Sequence, residues 1–351
     1  MYTANIRRVT PYTPGEQPKN KDVIKLNTNE CPYPPSESVK RVLREMDTDR
    51  FRLYPDPAAS DLVKAWADYN GLKENQVFTG VGSDDVLSMC FLAFFAGNKR
   101  ILFPDITYSF YDVWCDVYRI PYERIPLDEN FRLRTEDYIG RENGGIVIAN
   151  PNAPTGLSTS LSRIEQIVAA NPESVVIVDE AYVDFGGTSA LPLIEKYENL
   201  VVVQTFSKSR AMAGLRVGFA MGNSRLIGYL NDVKYSVNSY TMNYPSIAVG
   251  KAVIEDVAYF EDIRSRVVAT RQRSKKALSE LGFSFPDSDT NFIFAKHESA
   301  SGKELFDALR DRNIFVRYFN KPRISDYLRI TIGTDEQMDI LFEALREILG
   351  R

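Results

Sequence analysis

An α/β architecture, with a mostly parallel central sheet between helices in a large domain, a smaller α+β domain and an N-terminal arm, is predicted by three features of the 351 residues. Over 36–240, short apolar runs alternate with helical patterns. Past residue 240 the texture shifts to long charged helices and a few strands. Ahead of both, residues 1–35 are rich in Pro, Asn and Thr.

Pro11, Pro14, Pro18, Pro32, Pro34 and Pro35 punctuate that first segment. Proline removes backbone donors and fixes φ, so the segment reads as a wrapping arm with no regular element. The runs Ile101-Leu102-Phe103, Ile146-Val147-Ile148-Ala149, Val175-Val176-Ile177-Val178 and Leu200-Val201-Val202-Val203 are continuous rather than alternating. Such runs mark strands buried on both faces, as in a parallel sheet covered by helices. The spacing then predicts a helix over 244–256, a long charged helix over 258–281 that bridges the domains, strands at 283–296, 314–318 and 327–332, and a closing helix from Asp335 to Leu349. Residues 241–351 form the smaller domain.

The composition, 44% hydrophobic and 26% charged, supports a large core. A formal net charge of -4 and a pI near 5.4 argue against a nucleic-acid binder, which needs a basic excess or stripe. Small molecules are the expected partners. Cys31, Cys90 and Cys115 are odd in number and form no CxxC pair, so no disulfide framework or zinc site is expected. No apolar stretch approaches the roughly eighteen residues a membrane span needs, and the N-terminus lacks a signal-type core. A cytoplasmic location fits. His297, the one histidine, lies at the end of a strand pattern and reads as half-exposed. Chemistry here must draw on lysine, carboxylates, tyrosines, arginines or a cofactor, with no metal expected.

In an open α/β sheet, ligands bind beyond the carboxyl ends of the strands, and each end in this chain carries an unusual residue. Lys208 follows Val201-Val202-Val203 in Thr205-Phe206-Ser207-Lys208-Ser209-Arg210. A lysine there either snorkels outward or is chemically used. Asp179 ends the Val175 to Val178 run in Asp179-Glu180-Ala181-Tyr182; alone it would read as a helix N-cap. Asn150-Pro151-Asn152-Ala153-Pro154-Thr155-Gly156 follows the preceding run and alone is a turn that orients an amide. Thr79-Gly80-Val81-Gly82-Ser83-Asp84-Asp85 opens a helical run, Val86 to Phe95, and exposes backbone N–H groups suited to phosphate. Arg216, in Ala213-Gly214-Leu215-Arg216-Val217-Gly218, can share that phosphate.

A phosphate cradle, an aspartate, an oriented amide, a tyrosine and a lysine are the parts a pyridoxal phosphate site needs. Lys208 would bind the aldehyde as an imine and later shuttle a proton as a free amine. Asp179 would keep the pyridine nitrogen protonated. Tyr182 and Asn152 would hydrogen-bond the phenolic oxygen, and Tyr108, in Asp105-Ile106-Thr107-Tyr108, would stack on the ring.

The ordered motifs GSDD, NPNAPTG, DEAY, TFSKSRAMAGLRVG and YLRITIGT resemble the fold-type I pyridoxal phosphate-dependent aminotransferases, in particular the histidinol-phosphate aminotransferase family. The resemblance runs from Tyr12, through Leu26-Asn27-Thr28-Asn29-Glu30, to the C-terminal helix. It implies that Ser83, Asp84, Ser207 and Arg216 hold the cofactor phosphate region, with Tyr54 reaching in from the partner subunit of a homodimer. It implies that Arg329 hooks an anionic substrate, with Arg317, Tyr12 and Asn29 beside it. The family more often has asparagine directly before Pro-Thr-Gly, where this chain has Ala153. The activity implied is transamination between L-histidinol phosphate and 2-oxoglutarate. The alternatives are an aromatic-amino-acid aminotransferase or a threonine-phosphate decarboxylase on the same scaffold and, more remotely, a non-catalytic effector-sensing module.

Overall fold

A computed structural model describes residues 5–19 and 22–350; residues 1–4, 20 and 21 of the expected arm, and residue 351, lie outside the described residues. Its seven-stranded sheet consists of β2 (Val77–Gly80), β3 (Ile101–Pro104), β4 (Tyr122–Ile125), β5 (Gly145–Ala149), β6 (Val176–Asp179), β7 (Leu200–Thr205) and β8 (Gly218–Gly222). The order is β2-β8-β7-β6-β5-β3-β4. β8 runs antiparallel to both β2 and β7, and the remaining neighbours are parallel. Two cores lie on its two faces. Ile146, Ile148, Val178 and Val202 enter one, while Val147, Ile177, Val201 and Val203 enter the other. Successive side chains on a strand point to opposite faces, so each apolar run must be apolar throughout.

The first core is closed by α1 (Glu37–Arg44), α2 (Ser60–Asn70), α5 (Leu161–Ala170) and α7 (Tyr244–Glu255) through Val39, Trp66, Ile164 and Val249. The second is closed by α3 (Gly82–Phe94), α4 (Phe110–Tyr118) and α6 (Ser224–Val237) through Phe91, Trp114 and Leu230.

A four-stranded antiparallel sheet has the order β12 (Arg317–Tyr318), β13 (Tyr327–Thr331), β10 (Phe292–His297), β9 (Phe283–Ser284). Its core takes Ile293, Ala295 and Ile330 from the strands, Val267 from α8 (Val257–Glu280), Leu305 from α9 (Gly302–Arg310) and Leu341 from α10 (Asp335–Leu349). Capping boxes at Ser301/Glu304 and Thr334/Gln337 start α9 and α10 by satisfying their free amides.

Four details depart from the sequence expectations. The expected strand at 314–318 is divided at Val316 into β11 (Ile314–Phe315) and β12, which join different sheets. The expected strand at 283–296 is divided, because Ser288 and Thr290 hydroxyls bond the Phe292 carbonyl and fold the intervening segment on itself. The arm does contain a regular piece: β1 (Ile24–Lys25) pairs in parallel with β11 (Ile314–Phe315). His297 is buried rather than half-exposed, its Nδ1 accepting the Ala300 amide at 3.0 Å and its Nε2 lying 3.0 Å from the Leu281 carbonyl.

Candidate active site

The register Ala149↔Asp179 sets the ends of β5 and β6 level, and β7, paired Asp179↔Val203, runs two residues further to Thr205, so the segments that follow lie at one edge of the sheet. They enclose a pocket lined by Ser83, Asp84, Tyr108, Asp179, Tyr182, Ser207, Lys208 and Arg216. A second cavity, about 330 Å³, opens beside it and shares Asp84, Tyr108, Tyr182, Lys208 and Arg216. It adds Tyr12, Asn29, Arg317 and Arg329. Residues more than 300 positions apart in sequence thus meet over one lysine.

At the base, Asp179 is 5% exposed. Its Oδ2 accepts from the Tyr111 hydroxyl at 2.8 Å and its Oδ1 from the Ala181 amide at 3.2 Å. Burial raises its carboxyl to about 6, against the lowering pull of those two donors. A carboxylate that is mostly ionised at neutral pH yet makes no salt bridge among the described residues calls for a cationic partner. Lys208 Nζ donates to the Thr28 carbonyl at 3.2 Å and lies 5.6 Å from the Tyr182 ring centroid.

The phosphate-suited end forms where β2 turns into α3. Val81, at the N-cap, offers no side-chain acceptor to the first amides of this helix, its own amide donates to Asp85 Oδ2 at 2.8 Å, and Ser83 and Asp84 of the first turn line the pocket. Gly82 has φ +80°, and a Cβ there would sit 2.4 Å from Arg216 Nη2. Only glycine lets the guanidinium lie against the helix start. Arg216 Nη1 donates to Ser207 Oγ at 3.3 Å, and Nη2 lies 3.4 Å from Asp84 Oδ2. Asp84 Oδ1 in turn accepts from the Tyr108 hydroxyl at 2.8 Å.

At the mouth, Arg317 and Arg329 are direct partners across β12 and β13. Arg317 donates to the Pro14 and Thr13 carbonyls of the arm, and Arg329 Nη2 donates to the Asn27 carbonyl at 2.8 Å. The buried Nε of Arg329 has no partner among the described residues. Burial depresses the Arg329 pKa. Tyr12 stacks on Phe110 at 4.2 Å, and Asn29, at φ +57°, donates to the Tyr182 hydroxyl oxygen at 2.9 Å.

Two expected residues stand apart. Asn152 lines neither cavity: its Nδ2 donates to the Ile106 carbonyl and Thr155 Oγ1, and its Oδ1 accepts from Thr107. Both of its N–H donors are spent on the loop, and Ala153 faces the pocket instead. Tyr54 is 82% exposed, stacked on Tyr240 at 4.6 Å, and also lines neither cavity of its own chain. Sequence reasoning missed Tyr111. Its place in the first turn of α4, just after the Tyr108 segment, was the available signal. It also missed Phe319, whose ring lies 5.5 Å from the Arg317 guanidinium and 5.6 Å from that of Arg329.

The donor set therefore fits a phosphorylated aromatic aldehyde with a basic ring nitrogen, which is pyridoxal phosphate. Residues 21–345 match the family model for aminotransferase class I and II. The chain is 51% identical over 345 residues to a histidinol-phosphate aminotransferase of Lactococcus lactis subsp. cremoris, covering 98% of this chain and 97% of that one. It is 50% identical over 348 residues to one from Chromohalobacter salexigens, covering 99% of each. Among solved structures, histidinol-phosphate aminotransferase from Sinorhizobium meliloti in complex with pyridoxal-5'-phosphate superposes with a TM-score of 0.85 at 24% identity, over 93% of this chain and 90% of that one. L-threonine-O-3-phosphate decarboxylase from Porphyromonas gingivalis gives 0.77 at 21% identity, over 93% of this chain and 99% of that one, so the fold alone does not choose a reaction. By its near-complete match to both the family model and these relatives, the chain belongs to the class I and II aminotransferases and, within them, to the histidinol-phosphate aminotransferase family.

Proposed function

We propose that the protein transfers the amino group of L-histidinol phosphate to 2-oxoglutarate, giving imidazole-acetol phosphate and L-glutamate in histidine biosynthesis. The observation that carries this reading is the opposed pair Arg317 and Arg329, lining one cavity with Lys208. Like charges directly opposite each other on a sheet repel unless an anion lies between them. Histidinol phosphate has no carboxylate and presents a phosphate, whereas glutamate presents its α-carboxylate, so one guanidinium pair serves both half-reactions.

Pyridoxal phosphate, when bound, supplies an electron-withdrawing ring that stabilises charge at the substrate α-carbon and carries the amino group between the half-reactions. The uncapped start of α3, with Ser83, Ser207 and Arg216, holds a phosphate, and Asp84 orients Arg216 and Tyr108. Asp179 would hold a pyridine nitrogen protonated. Tyr108 would stack on an aromatic ring in this pocket. With the Asn152 amide committed elsewhere, Tyr182 would be the donor for a phenolic oxygen. Lys208 would take up and return the proton at the substrate α-carbon.

The reading extends to a homodimer in the cytoplasm. Tyr54, Phe51 and Leu53 form an exposed apolar group that a second copy would cover, bringing Tyr54 to the partner's phosphate site. Free Cys31, Cys90 and Cys115 suit a reducing compartment. Residues 1–35 serve as the arm; the cofactor-binding domain, expected over 36–240, extends through α7, whose Val249 closes the large-sheet core, and the small domain, expected over 241–351, begins with α8.

Mixing the cofactor-loaded protein with L-histidinol phosphate is expected to bleach the visible cofactor band toward the amine form. Arg329→Lys is expected to lower kcat/KM at least about 100-fold in both half-reactions, because a point charge does not replace a planar fork. A band that responds to aromatic amino acids but not histidinol phosphate, or carbon dioxide released from phosphothreonine, would replace this assignment with the corresponding relative.

A further inference from the structure

One arginine outside the anion-binding pair ties the two sides of the cleft together. Arg323 lies between β12 and β13 with a left-handed φ of +68°, a conformation that a non-glycine residue holds only when its surroundings enforce it. Its Nη1 donates to Asp105 Oδ2 at 2.9 Å, and its Nη2 donates to the carbonyls of Leu127 at 3.0 Å and Asp128 at 2.6 Å. All three acceptors follow strands of the large sheet, Asp105 after β3 and the other two after β4. The second oxygen of Asp105 accepts the Leu127 amide at 2.9 Å, so the acceptor is itself held in place.

The Arg323 and Asp105 side chains are 37% and 25% exposed. An ion pair that open adds little to stability, so its consequence lies in geometry. On one side of the clamp the Asp105 segment continues into Tyr108 and is braced by Asn152, which binds the Ile106 carbonyl and Thr107. On the other side the Arg323 segment begins at Phe319, whose ring sits beside both Arg317 and Arg329. Between these walls runs a groove of about 640 Å³, lined by Tyr12, Thr107, Arg317 and Phe319 together with the clamp itself.

We propose that Arg323 is a positioning residue, fixing the separation between the Tyr108 wall and the wall that carries Arg317 and Phe319. This rests on the aminotransferase reading of the site. An anion held by the arginines and a reacting carbon held over Lys208 must be correct together, so the distance between the walls sets how tightly substrate is held. The planar guanidinium suits the task because it reaches a carboxylate and two carbonyls at once, which an ammonium does not.

The test is the half-reaction of the cofactor-loaded protein with L-glutamate, followed by the visible cofactor band. Arg323→Ala is expected to raise the apparent Kd for glutamate about tenfold, with the limiting rate within about threefold of wild type and cofactor retention unchanged. Asp105→Asn, which keeps an acceptor for the Leu127 amide, is expected to act in the same direction and to add little in the double variant. Arg323→Lys recovers part of the loss. An apparent Kd within about twofold of wild type in both single variants overturns the proposal, as does a fall of limiting rate and cofactor retention in step with affinity. Failure of histidinol phosphate as a substrate would overturn the substrate assignment alone, since the clamp is read from variant against wild type with glutamate.

Discussion

The Tyr111 hydroxyl donates to Asp179 Oδ2 at 2.8 Å from within the core between α4 and the large sheet, behind the pocket. Tyr111 is fully buried, and Asp179 is buried beside it at the base of the pocket. A buried carboxylate is costly to ionise, and this bond offsets part of that cost from the side that substrate never reaches.

The pair has a pH signature in the protein without cofactor. Burial raises the Asp179 carboxyl from 3.8 to about 6, so between those values the native state holds a proton that the unfolded chain has released. The contribution of this group to stability is therefore largest below about 4 and falls as pH rises through about 6. Tyr111→Phe removes a bond that favours the ionised form. Its destabilisation, measured by urea unfolding, is expected to be about 1 kcal/mol at pH 4.5 and roughly 1.5–3 kcal/mol at pH 7.5. A cost that does not vary with pH would show that the hydroxyl does not act through the carboxylate.

Gly82 offers a second check, at the phosphate end. Alanine there must adopt φ +80° and place its Cβ where Arg216 Nη2 now lies. The strain is on the order of 1–2 kcal/mol, modest for a chain of this size. The displaced guanidinium should matter more. Gly82→Ala is expected to unfold near the wild-type temperature while its Kd for pyridoxal phosphate rises at least about tenfold, measured by fluorescence titration. Unchanged cofactor affinity would remove Arg216 from the phosphate site.

Asn29 and Tyr182 provide a third. Because Asn29 donates into the tyrosine oxygen, the phenolic proton is left to point elsewhere, toward the pocket. Tyr182→Phe is expected to raise the pH midpoint of the cofactor's visible band by about one unit, the size of shift that a single hydrogen bond carries. Asn29→Ala should shift it in the same direction by less, and Asn29→Ala added to Tyr182→Phe should do nothing further. Additive shifts would mean that Asn29 works independently of the tyrosine.

Much of the site was legible because its residues follow strands. Asp179 ends one continuous apolar run, Lys208 lies in the loop that follows another, and Gly82 with Ser83 opens a helix after β2. A parallel sheet brings such ends to one edge, so their convergence could be inferred without coordinates. Asn152, expected to face a ligand, was less legible. Nothing in the spacing tells whether a turn amide faces a ligand or its own loop, and here the Ile106 carbonyl and Thr155 hydroxyl take both of its protons. Tyr111 and Arg323 were missed because a buried aromatic and a loop arginine are ordinary residues until their partners, 68 and 218 positions away, are known.

By itself the sequence determined the sheet and the chemistry. Its apolar runs specify strands buried on both faces, and the residues that end them are those a phosphate, a pyridine nitrogen and an aldehyde require. The tertiary structure decided which polar groups are spent and which remain free. It set Arg317 opposite Arg329 and left Arg329 Nε without a partner among the described residues. It also turned Asn152 inward and carried Arg323 across the cleft to Asp105. The physical reason is that a hydrogen bond or an ion pair depends on distances between segments remote in sequence, which residue type and periodicity do not encode.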